Sequence, residues 1–364
     1  MKIAYQDLSR WDKQELNEIE AAISRVLRKG RFILGEELSA FEEEFASYIG
    51  KKYAIGVGSG TDAITLALIA SGIDPGDEVI TSSLTAYPTI TGIERAGAIP
   101  VVIDCQRETG MLDPARISAA ITDRTKAIVP VHLWGNACEM DKIQAIARQN
   151  DLAVIEDCAQ AVGTEYLGHK AGYWSGCAAY SFYPTKNLGA AGDGGAIATD
   201  SFEMFQKIKQ LRNYGQAKRE VNAIPGINSR LDEIQAVVLC IKLQYLSEKL
   251  DKRRLVAERY NQGLSNEILI SLTQNSKSGY HIFPVIIDER KGLKEYLSSK
   301  GVEVLVHYPQ VVYVQPGFRG RKSGTCENAE YIAARELSLP INEFIKDEEQ
   351  EFVINLLKGW LKSC

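Results

Sequence analysis

The sequence contains few residues that could form a disulfide framework or bind a metal. Its 364 residues include seven cysteines and only four histidines. The cysteine count is odd and no two cysteines have C-x-x-C spacing, so neither a disulfide framework nor a zinc or iron–sulfur site is expected. We therefore expect no metal, and we interpret the cysteines as reduced, mostly buried thiols.

The sequence also lacks an excess of basic residues and any long apolar run. A formal net charge of -5 provides no electrostatic basis for binding nucleic acid. The longest apolar runs, such as residues 236–241, are too short to span a bilayer. Charges occur throughout residues 1–25, where a signal peptide would need an apolar segment. We expect a cytoplasmic protein with neither nucleic acid nor membrane as a partner.

Short apolar runs alternate with helical patterns through the first part of the chain. The first such run is Lys52–Val57 and the last is Ala196–Thr199, after two amphipathic helices at the N-terminus. Strands that alternate with helices require crossover connections, which build a mostly parallel sheet covered by helices on both faces. This part of the chain is therefore predicted to be an α/β domain.

The pattern changes after residue 230. Two long helices are predicted there, Leu231–Tyr245 and Lys249–Leu264, and a strand is predicted at Val302–His307. The length of the chain favours about two domains. We divide it into a large domain, residues 1–247, and a smaller C-terminal α+β domain, residues 248–364.

One lysine has an unusual setting. Lys186 lies in the run Ser181–Gly189, where Pro184 stiffens the loop, and the Gly-rich stretch 192–196 follows. Upstream, Asp157 directly follows an apolar strand, and ligands of open α/β sheets bind beyond the carboxyl ends of strands. An amine that can form a Schiff base and a carboxylate that can keep a ring nitrogen protonated are the groups that pyridoxal phosphate requires. Taken alone, Asp157 is better explained as a helix cap or a solvated loop residue.

Three other segments could line a ligand site. The turn Gly58–Ala63 lies between a strand and a helix, where free N–H groups favour phosphate, although, taken alone, a capped turn is the better explanation. The segment 226–235 opens a helix, and a cap is its simpler interpretation. His307-Tyr308-Pro309 follows a predicted strand and either lines a pocket or packs as a turn.

In this order, these motifs resemble the DegT/DnrJ/EryC1/StrS family of sugar aminotransferases. The resemblance extends over nearly the whole chain. It includes residues 31–35, 58–63, 131–135, 156–161, 181–189, 212–215 and 226–235. It implies the fold of aspartate aminotransferase, which is fold type I: a mostly parallel central sheet between helices, plus a smaller C-terminal domain.

The resemblance also implies a role for each matching residue. Lys186 would form the Schiff base with pyridoxal 5'-phosphate, Asp157 would pair with the ring nitrogen, and Gln160 would contact the ring hydroxyl. The residues expected to hold the phosphate are Gly60, Thr61, Ser181 and, from the partner subunit of a homodimer, Asn228. The active site would thus be shared between two copies of the chain.

The sequence departs from the family pattern at positions near the ring and the substrate. Thr85 is followed by Ala86 and then Tyr87, so Tyr87 becomes the candidate for stacking on the ring. Tyr313 stands where many relatives have a histidine that lies near the sugar. The residues expected to bind substrate are Tyr183, His307, Tyr308 and Tyr313.

We interpret the protein as an aminotransferase that moves an amino group, with L-glutamate as the expected donor, to a nucleotide-linked keto-deoxysugar. The triplet His307-Tyr308-Pro309 resembles family members that aminate sugar C3 more than those that act at C4, so C3 is the expected position. A related sugar dehydratase is one alternative, but its branch has histidine in place of Lys186. A nicotinamide-dependent dehydrogenase is another, weakened because residues 56–61 lack the final glycine of the fingerprint. A catalytically silent cofactor-binding regulator is the third.

Overall fold

The computed structural model describes residues 2–362. Its α-helices are α1 Lys13–Lys29, α2 Glu36–Ile49, α3 Gly60–Ala70, α4 Tyr87–Arg95, α5 Ile117–Ala120, α6 Met140–Gln149, α7 Phe202–Leu211, α8 Glu233–Gly263, α9 Arg290–Ser299, α10 Glu327–Arg335 and α11 Asp347–Leu361. Its strands are β1 Tyr53–Val57, β2 Glu78–Ser82, β3 Ile99–Ile103, β4 Thr125–Val129, β5 Ala153–Asp157, β6 Glu165–Tyr166, β7 His169–Lys170, β8 Cys177–Ser181, β9 Gly195–Thr199, β10 Gln216–Lys218, β11 Val221–Asn222, β12 Ser276–Lys277, β13 Phe283–Ile286, β14 Arg321–Lys322 and β15 Glu336–Leu339.

The central sheet has eight strands in the order β1-β9-β8-β5-β4-β2-β3-β14. Strand β9 is antiparallel to both of its neighbours, and the other neighbouring strands are parallel. The predicted mostly parallel sheet is confirmed. Within residues 2–362, no helix is both long and apolar enough to cross a membrane.

Helices cover both faces of this sheet, because side chains alternate between the faces along each strand. Ala178 of β8 packs with α2 and α8, and its neighbour Ala179 packs with α3 and α7. Further along the sheet, α6 and α10 pack over β3, β4 and β5. Both faces of the sheet are therefore buried, as its parallel strands require.

The two long helices predicted after residue 230 are one continuous helix, α8, of 31 residues. No glycine or proline occurs between Tyr245 and Lys249 to end a helix. The buried positions change along α8: Ala236–Leu239 pack towards the sheet and α1, whereas Val256, Ala257 and Tyr260 pack into the C-terminal core. Because the buried face changes, the hydrophobic pattern of the sequence is interrupted near residues 245–249, although the helix continues. The predicted domain boundary at residue 247 falls inside α8, and the division into domains stays a prediction.

The strand predicted at Val302–His307 is also wrong. In its place are two isolated bridges, one between Ile3 and Val302 and one between Leu305 and Ser338. Strand β15, which contains Ser338, pairs along its length with β13 instead. Among the described residues, the segment 302–307 thus shares one backbone bridge with the small sheet, at Leu305.

Candidate active site

A cavity of about 360 Å³ lies beyond the carboxyl ends of the parallel strands. Strand β5 ends there at Asp157, β8 ends there at Ser181, and α3 begins there after β1. The residues that line the cavity are Ser59, Gly60, Thr61, Ile64, Ala86, Pro88, Thr89, Val131, Leu133, Asp157, Ala159, Gln160, Ser181, Tyr183, Lys186, Asp193, Gly194 and Tyr308. Residues that are far apart in the sequence are brought together because parallel strands end at the same edge of the sheet.

Asp157 is a buried carboxylate at the tip of β5, with 3% of its surface exposed. One oxygen accepts a hydrogen bond from the Ala159 amide at 3.0 Å, and the other accepts one from the Thr89 hydroxyl at 2.8 Å. Burial raises its pKa, while these hydrogen bonds and the charge of Lys186 oppose that rise. The carboxylate is held in one orientation and would be stabilised by a cation placed in the cavity.

The turn before α3 provides a tight cradle. Ser59 caps the helix by accepting a hydrogen bond from the Asp62 amide at 3.1 Å. A side chain at Gly60 would lie 2.7 Å from the β-carbon of Ser181, so only glycine fits between the two segments. The first amides of a helix have no partner within the helix and carry a partial positive charge. Gly60, Thr61 and Ser181 therefore border one concave surface that suits a phosphate.

Lys186 extends from the loop between β8 and β9. The loop folds back where the Lys186 amide donates to the Tyr183 carbonyl at 2.8 Å. The next residue, Asn187, is buried and donates from its side chain to the carbonyls of Val162 at 3.1 Å and Gly279 at 2.8 Å. Burial lowers the pKa of Lys186 to about 8, partly offset by the charge of Asp157. Near pH 7, the Lys186 amine is therefore neutral in a larger fraction of molecules than the amine of an exposed lysine is.

Gln160 links the cavity floor to the C-terminal part of the chain. Its Oε1 accepts from the Trp134 amide at 2.6 Å, and its Nε2 donates to the Tyr308 hydroxyl at 3.0 Å. The Trp134 indole donates to the His307 carbonyl at 2.8 Å. Gln160 and Tyr308 both line the cavity, and one donor of the Gln160 amide is left for another group there.

His307 lies behind Tyr308 and outside the lining of this cavity. Its Nδ1 shares a hydrogen bond with the Ser338 hydroxyl at 2.7 Å, and its amide donates to Glu336 at 2.6 Å. Burial and the charge of Lys186 lower the pKa of His307 to about 4. The ring is therefore neutral near pH 7, and it faces a neighbouring cavity of about 210 Å³.

The remaining residues predicted to bind cofactor or substrate fall into three groups by position. Tyr183 lines the cavity and is 52% exposed at its mouth. Asn228 is exposed, away from the cavity of its own chain, where its backbone pairs with Asn213. Tyr87 and Tyr313 are not among the lining residues.

Tyr87 does not line the cavity, so its predicted contact with the ring has no support from its position in this chain. Its side chain packs instead against the cluster of Ile90, Val102 and Val312, and Ala86 and Pro88 line the cavity at this point. Tyr87 opens α4, and its direction on the helix turns the ring towards β3. Sequence position alone could not predict this direction.

Tyr313 is held by another part of the protein. Its hydroxyl donates a hydrogen bond to the carboxylate of Glu330, and the Lys322 amine lies 4.8 Å from the centre of its ring. Within the described chain, these contacts account for Tyr313 without a ligand, and its predicted contact with substrate has no support from its position in a single chain.

Two features of the site were missed by the sequence interpretation. The Thr89 hydroxyl binds both Asp157 and Thr85, at 2.8 and 2.9 Å. The His281 ring lies 3.4 Å from the Lys186 amine, although 95 residues separate them in the chain. Helical spacing between Thr85 and Thr89 could have indicated the first feature. No sequence signal indicates the second.

Three buried side chains lie next to Asp157 on the opposite side of β5. His132, Glu156 and Cys158 bring potential ligand atoms within 4.8 Å of one another. Glu156, however, accepts hydrogen bonds from His132 at 2.9 Å and from the Gly172 and Ser175 amides, both at 2.8 Å. The Nδ1 atom of His132 accepts one from the Cys138 amide at 3.0 Å. These bonds fix the backbone around Asp157.

The cavity fits pyridoxal phosphate in three independent respects. A lysine amine of lowered pKa and a buried carboxylate face the same space, and a glycine that tolerates no side chain stands at the start of a helix beside them. The sheet order and the lysine loop after β8 are those of fold type I. The fold and the site together define a pyridoxal-phosphate enzyme of the aspartate aminotransferase class.

Comparison with known proteins identifies the family. The model of the DegT/DnrJ/EryC1/StrS aminotransferase family matches residues 13–358. A dTDP-3-amino-3,6-dideoxy-alpha-D-galactopyranose transaminase from Aneurinibacillus thermoaerophilus is 42% identical over 98% of this chain and 99% of its own. The erythromycin biosynthesis sensory transduction protein EryC1 from Saccharopolyspora erythraea is 40% identical over 99% of this chain and 100% of its own. The crystal structure of Streptomyces venezuelae DesV has a TM-score of 0.96 and 38% identity, covering 99% of this chain and 98% of DesV.

The chain belongs to the DegT/DnrJ/EryC1/StrS aminotransferase family. It is an aminotransferase, and its cofactor is pyridoxal 5'-phosphate. The predictions of family, fold class, enzyme class and cofactor are thus confirmed. The nicotinamide-dependent dehydrogenase is excluded as an alternative. The role of each site residue stays a prediction.

Proposed function

We propose that the protein transfers an amino group from L-glutamate to C3 of a nucleotide-linked keto-deoxysugar. The observation that carries this proposal is the pairing of Lys186 and Asp157 in one cavity whose wall also contains Tyr308. The A. thermoaerophilus relative is named for a dTDP-linked sugar with its amino group at C3, which supports both the nucleotide sugar and the carbon. Tyr183 lines the cavity and is 52% exposed, so a bound substrate could extend past it into solvent.

Different residues of the cavity would bind different parts of the cofactor. Gly60, Thr61 and Ser181 would bind its phosphate, because they border the positive end of α3. Asp157 would keep the ring nitrogen protonated, and Gln160 would donate its remaining N–H to the ring hydroxyl. When bound, pyridoxal phosphate supplies an electron sink that stabilises negative charge on the carbon that loses a proton. Asp157 strengthens that sink through its charge.

Lys186 would anchor the cofactor covalently and then carry the proton. In its free form, the Lys186 amine would remove a proton from the donor Cα and hold it within the cavity for return. A base must be unprotonated to accept a proton, and burial lowers the pKa of Lys186 to about 8. An ordinary lysine has a pKa near 10.4, so the shift raises the neutral fraction near pH 7 roughly two-hundredfold.

Isotope transfer tests the donor and the acceptor together. The purified protein is incubated with ¹⁵N-glutamate and a panel of nucleotide-linked 3-ketosugars and 4-ketosugars. Mass spectrometry then measures ¹⁵N incorporation into the sugar, with the Lys186→Ala variant as control. We expect label in a 3-amino product. Label only in products of 4-ketosugars would overturn the choice of C3, and label only from a different amino acid would overturn the donor.

The regulatory name of the S. erythraea relative motivates a second candidate, a cofactor-binding regulator without turnover. Glutamate distinguishes the two, because it should convert the near-ultraviolet or visible absorbance of the holoenzyme only where Lys186 and Asp157 act as proposed. A spectrum that glutamate leaves unchanged, in protein that retains cofactor, would favour the regulator.

A further inference from the structure

His281 lies behind Lys186, between two cavities. Its Nε2 is 3.4 Å from the Lys186 Nζ, at the long end of the hydrogen-bond range. Lys186 lines the cofactor cavity, whereas His281 lines the neighbouring cavity together with Tyr5 and His307. The imidazole is buried, and its Nδ1 has no hydrogen-bond partner among residues 2–362. The mechanism described so far gives this ring no role.

The segment that carries His281 is fixed on both sides. The Gly279 amide donates to the Gly135 carbonyl at 3.1 Å, and the Ile282 amide donates to the Trp134 carbonyl at 3.2 Å. Asn187, next to Lys186, donates to the Gly279 carbonyl at 2.8 Å. The lysine loop and the histidine segment are therefore tied to each other, and the contact between their side chains does not depend on a mobile loop.

The surroundings of His281 keep its ring neutral. Burial lowers the pKa of His281 well below its usual range, and the positive charges of Lys186 and Arg253 and the neighbouring His307 lower it further. Arg253 is paired with Glu343 at 2.9 Å and donates to the Tyr280 carbonyl at 3.3 Å, so it stays in place. A neutral imidazole offers one acceptor nitrogen, whereas an ammonium group is only a donor.

We propose that His281 is a positioning residue for Lys186, whose amine donates a hydrogen bond to the Nε2 atom of the imidazole. This inference rests on the proposed role of Lys186 as proton carrier. When the lysine is not bound to cofactor, the histidine holds the amine at the cavity wall, ready to return. Without that acceptor, the four-carbon side chain would sample several positions, and fewer of them would place the amine near the reacting carbon.

The hydrogen bond has a consequence for the titration of Lys186. A hydrogen bond to a charged group is stronger than one to the neutral form, so His281 stabilises the ammonium and opposes the effect of burial. Removing the acceptor should therefore lower the pKa of Lys186 further, by about half to one pH unit. Asp157, which also favours the ammonium, is unchanged in every variant below.

The test measures the lysine directly and does not require turnover. Full-length protein freed of cofactor is labelled at lysine with trace fluorodinitrobenzene from pH 6 to 10, and mass spectrometry follows the peptide that contains Lys186. The variants are His281→Leu, which removes the acceptor, and His281→Gln, which keeps one near the position of Nε2. Tyr5→Phe is the matched control, since Tyr5 lines the same cavity without contacting Lys186.

We expect the midpoint of labelling to fall by half to one pH unit in His281→Leu, to recover at least in part in His281→Gln, and to stay at the wild-type value in Tyr5→Phe. An unchanged or higher midpoint in His281→Leu would overturn the proposal, and so would a shift in His281→Gln as large as that in His281→Leu. If His281→Leu does not fold, His281→Asn, whose amide is too short to reach the amine, replaces it. Because the labelling needs no sugar or glutamate, failure of the proposed function would leave this result interpretable.

Discussion

Lys186 and Lys242 are both partly buried and have a lowered pKa, but only Lys186 lines the cavity. Burial lowers the pKa of both Lys186 and Lys242 to about 8. Lys242 lies on α8 and donates to the Gly189 carbonyl at 2.6 Å, whereas Lys186 lines the cavity beside Asp157. A lowered pKa by itself therefore does not identify the reactive residue; the residues around the amine do.

The first prediction compares these two lysines. Lys186→Ala should abolish amino transfer and leave the fold intact, because it removes both the covalent anchor and the proton carrier. Lys242→Met should keep activity within about threefold, because it retains the apolar stem of a side chain that does not line the cavity. Transfer from ¹⁵N-glutamate measures activity, and borohydride reduction with peptide mapping locates the cofactor. Near wild-type turnover by Lys186→Ala would remove this residue from the mechanism.

The second prediction concerns Asp157. In Asp157→Asn the remaining oxygen can still accept from the Ala159 amide, and the Thr89 hydroxyl can turn to accept from the new NH2 group, so the variant should fold and retain cofactor. It lacks the negative charge that holds a proton on the ring nitrogen. We expect kcat to fall on the order of a hundredfold or more, as when one well-placed electrostatic group is removed.

Thr89→Val is the matched control for Asp157→Asn. It removes one hydrogen bond to the carboxylate but leaves its charge, so its effect on kcat should be much smaller. Steady-state kinetics and cofactor absorbance of both variants provide the comparison. Equal kcat values for Asp157→Asn and the wild type would show that the charge of Asp157 plays no part in the reaction.

Among the elements, α8 shows what a hydrophobic pattern does and does not predict. Its residues form helices readily throughout, but its buried face moves from the sheet and α1 to the C-terminal core along its length. When the spacing of buried apolar residues shifts its phase partway along one helix, the sequence pattern resembles that of two separate helices. The backbone continues because nothing between Tyr245 and Lys249 ends a helix.

The third prediction tests this continuity. Ser247 is an exposed residue in the middle of α8. In a continuous helix, Ser247→Pro removes one hydrogen bond and introduces a steric clash, which should cost about 3 kcal/mol or more. Ser247→Ala should be neutral or slightly stabilising. Denaturant unfolding of both variants gives the comparison, and a proline variant as stable as wild type would mean that the chain breaks at this point.

The grouping of several cavity residues could be predicted from the order of the helices and strands alone. Asp157, Ser181 and the start of α3 all follow or end strands, and the edge where parallel strands end is shared, so strand order was enough to bring these residues together. The orientation of side chains was not predictable in this way. Tyr87 turns into an apolar cluster because of its place on α4, although its sequence position next to Ala86 suggested the cavity.

At the scale of the whole molecule, the least predictable contacts join distant parts of the chain. Tyr308 reaches Gln160 from 148 residues away, and His281 reaches Lys186 from 95 residues away. Such contacts depend on how the segments after α8 return to the central sheet, and no local pattern encodes that path. The resemblance to the family supplied Tyr308, but the histidine behind the lysine became visible only in three dimensions.

Asn228 is the residue that connects the site to an assembly. It is exposed, yet its neighbour Ser229 is buried and bonded to the Gly58 amide at 2.9 Å and to Asp62 at 2.8 Å. The segment is thus held firmly, while Asn228 itself is exposed and does not line the cavity of its own chain. A rigidly held, exposed amide is well suited to reach the phosphate of a second subunit, as the prediction of a homodimer with shared sites requires.

The last prediction tests shared sites by mixing two inactive variants, Lys186→Ala and Asn228→Asp. The second places a carboxylate beside the proposed phosphate position and should weaken cofactor retention by charge repulsion. If each site takes Lys186 from one subunit and Asn228 from the other, a mixed dimer has one site with both defects and one wild-type site.

Subunit exchange should then restore about a quarter of the wild-type activity, because half of the randomly formed dimers are mixed and each has one active site of two. Native mass spectrometry verifies the mixed dimers, and ¹⁵N transfer measures their activity. As a control, each variant is taken through the same exchange procedure alone, which should restore no transfer activity. If verified mixed dimers stay inactive, Lys186 and Asn228 act within the same subunit. A protein that remains monomeric at micromolar concentration, with full activity, would exclude the shared site altogether.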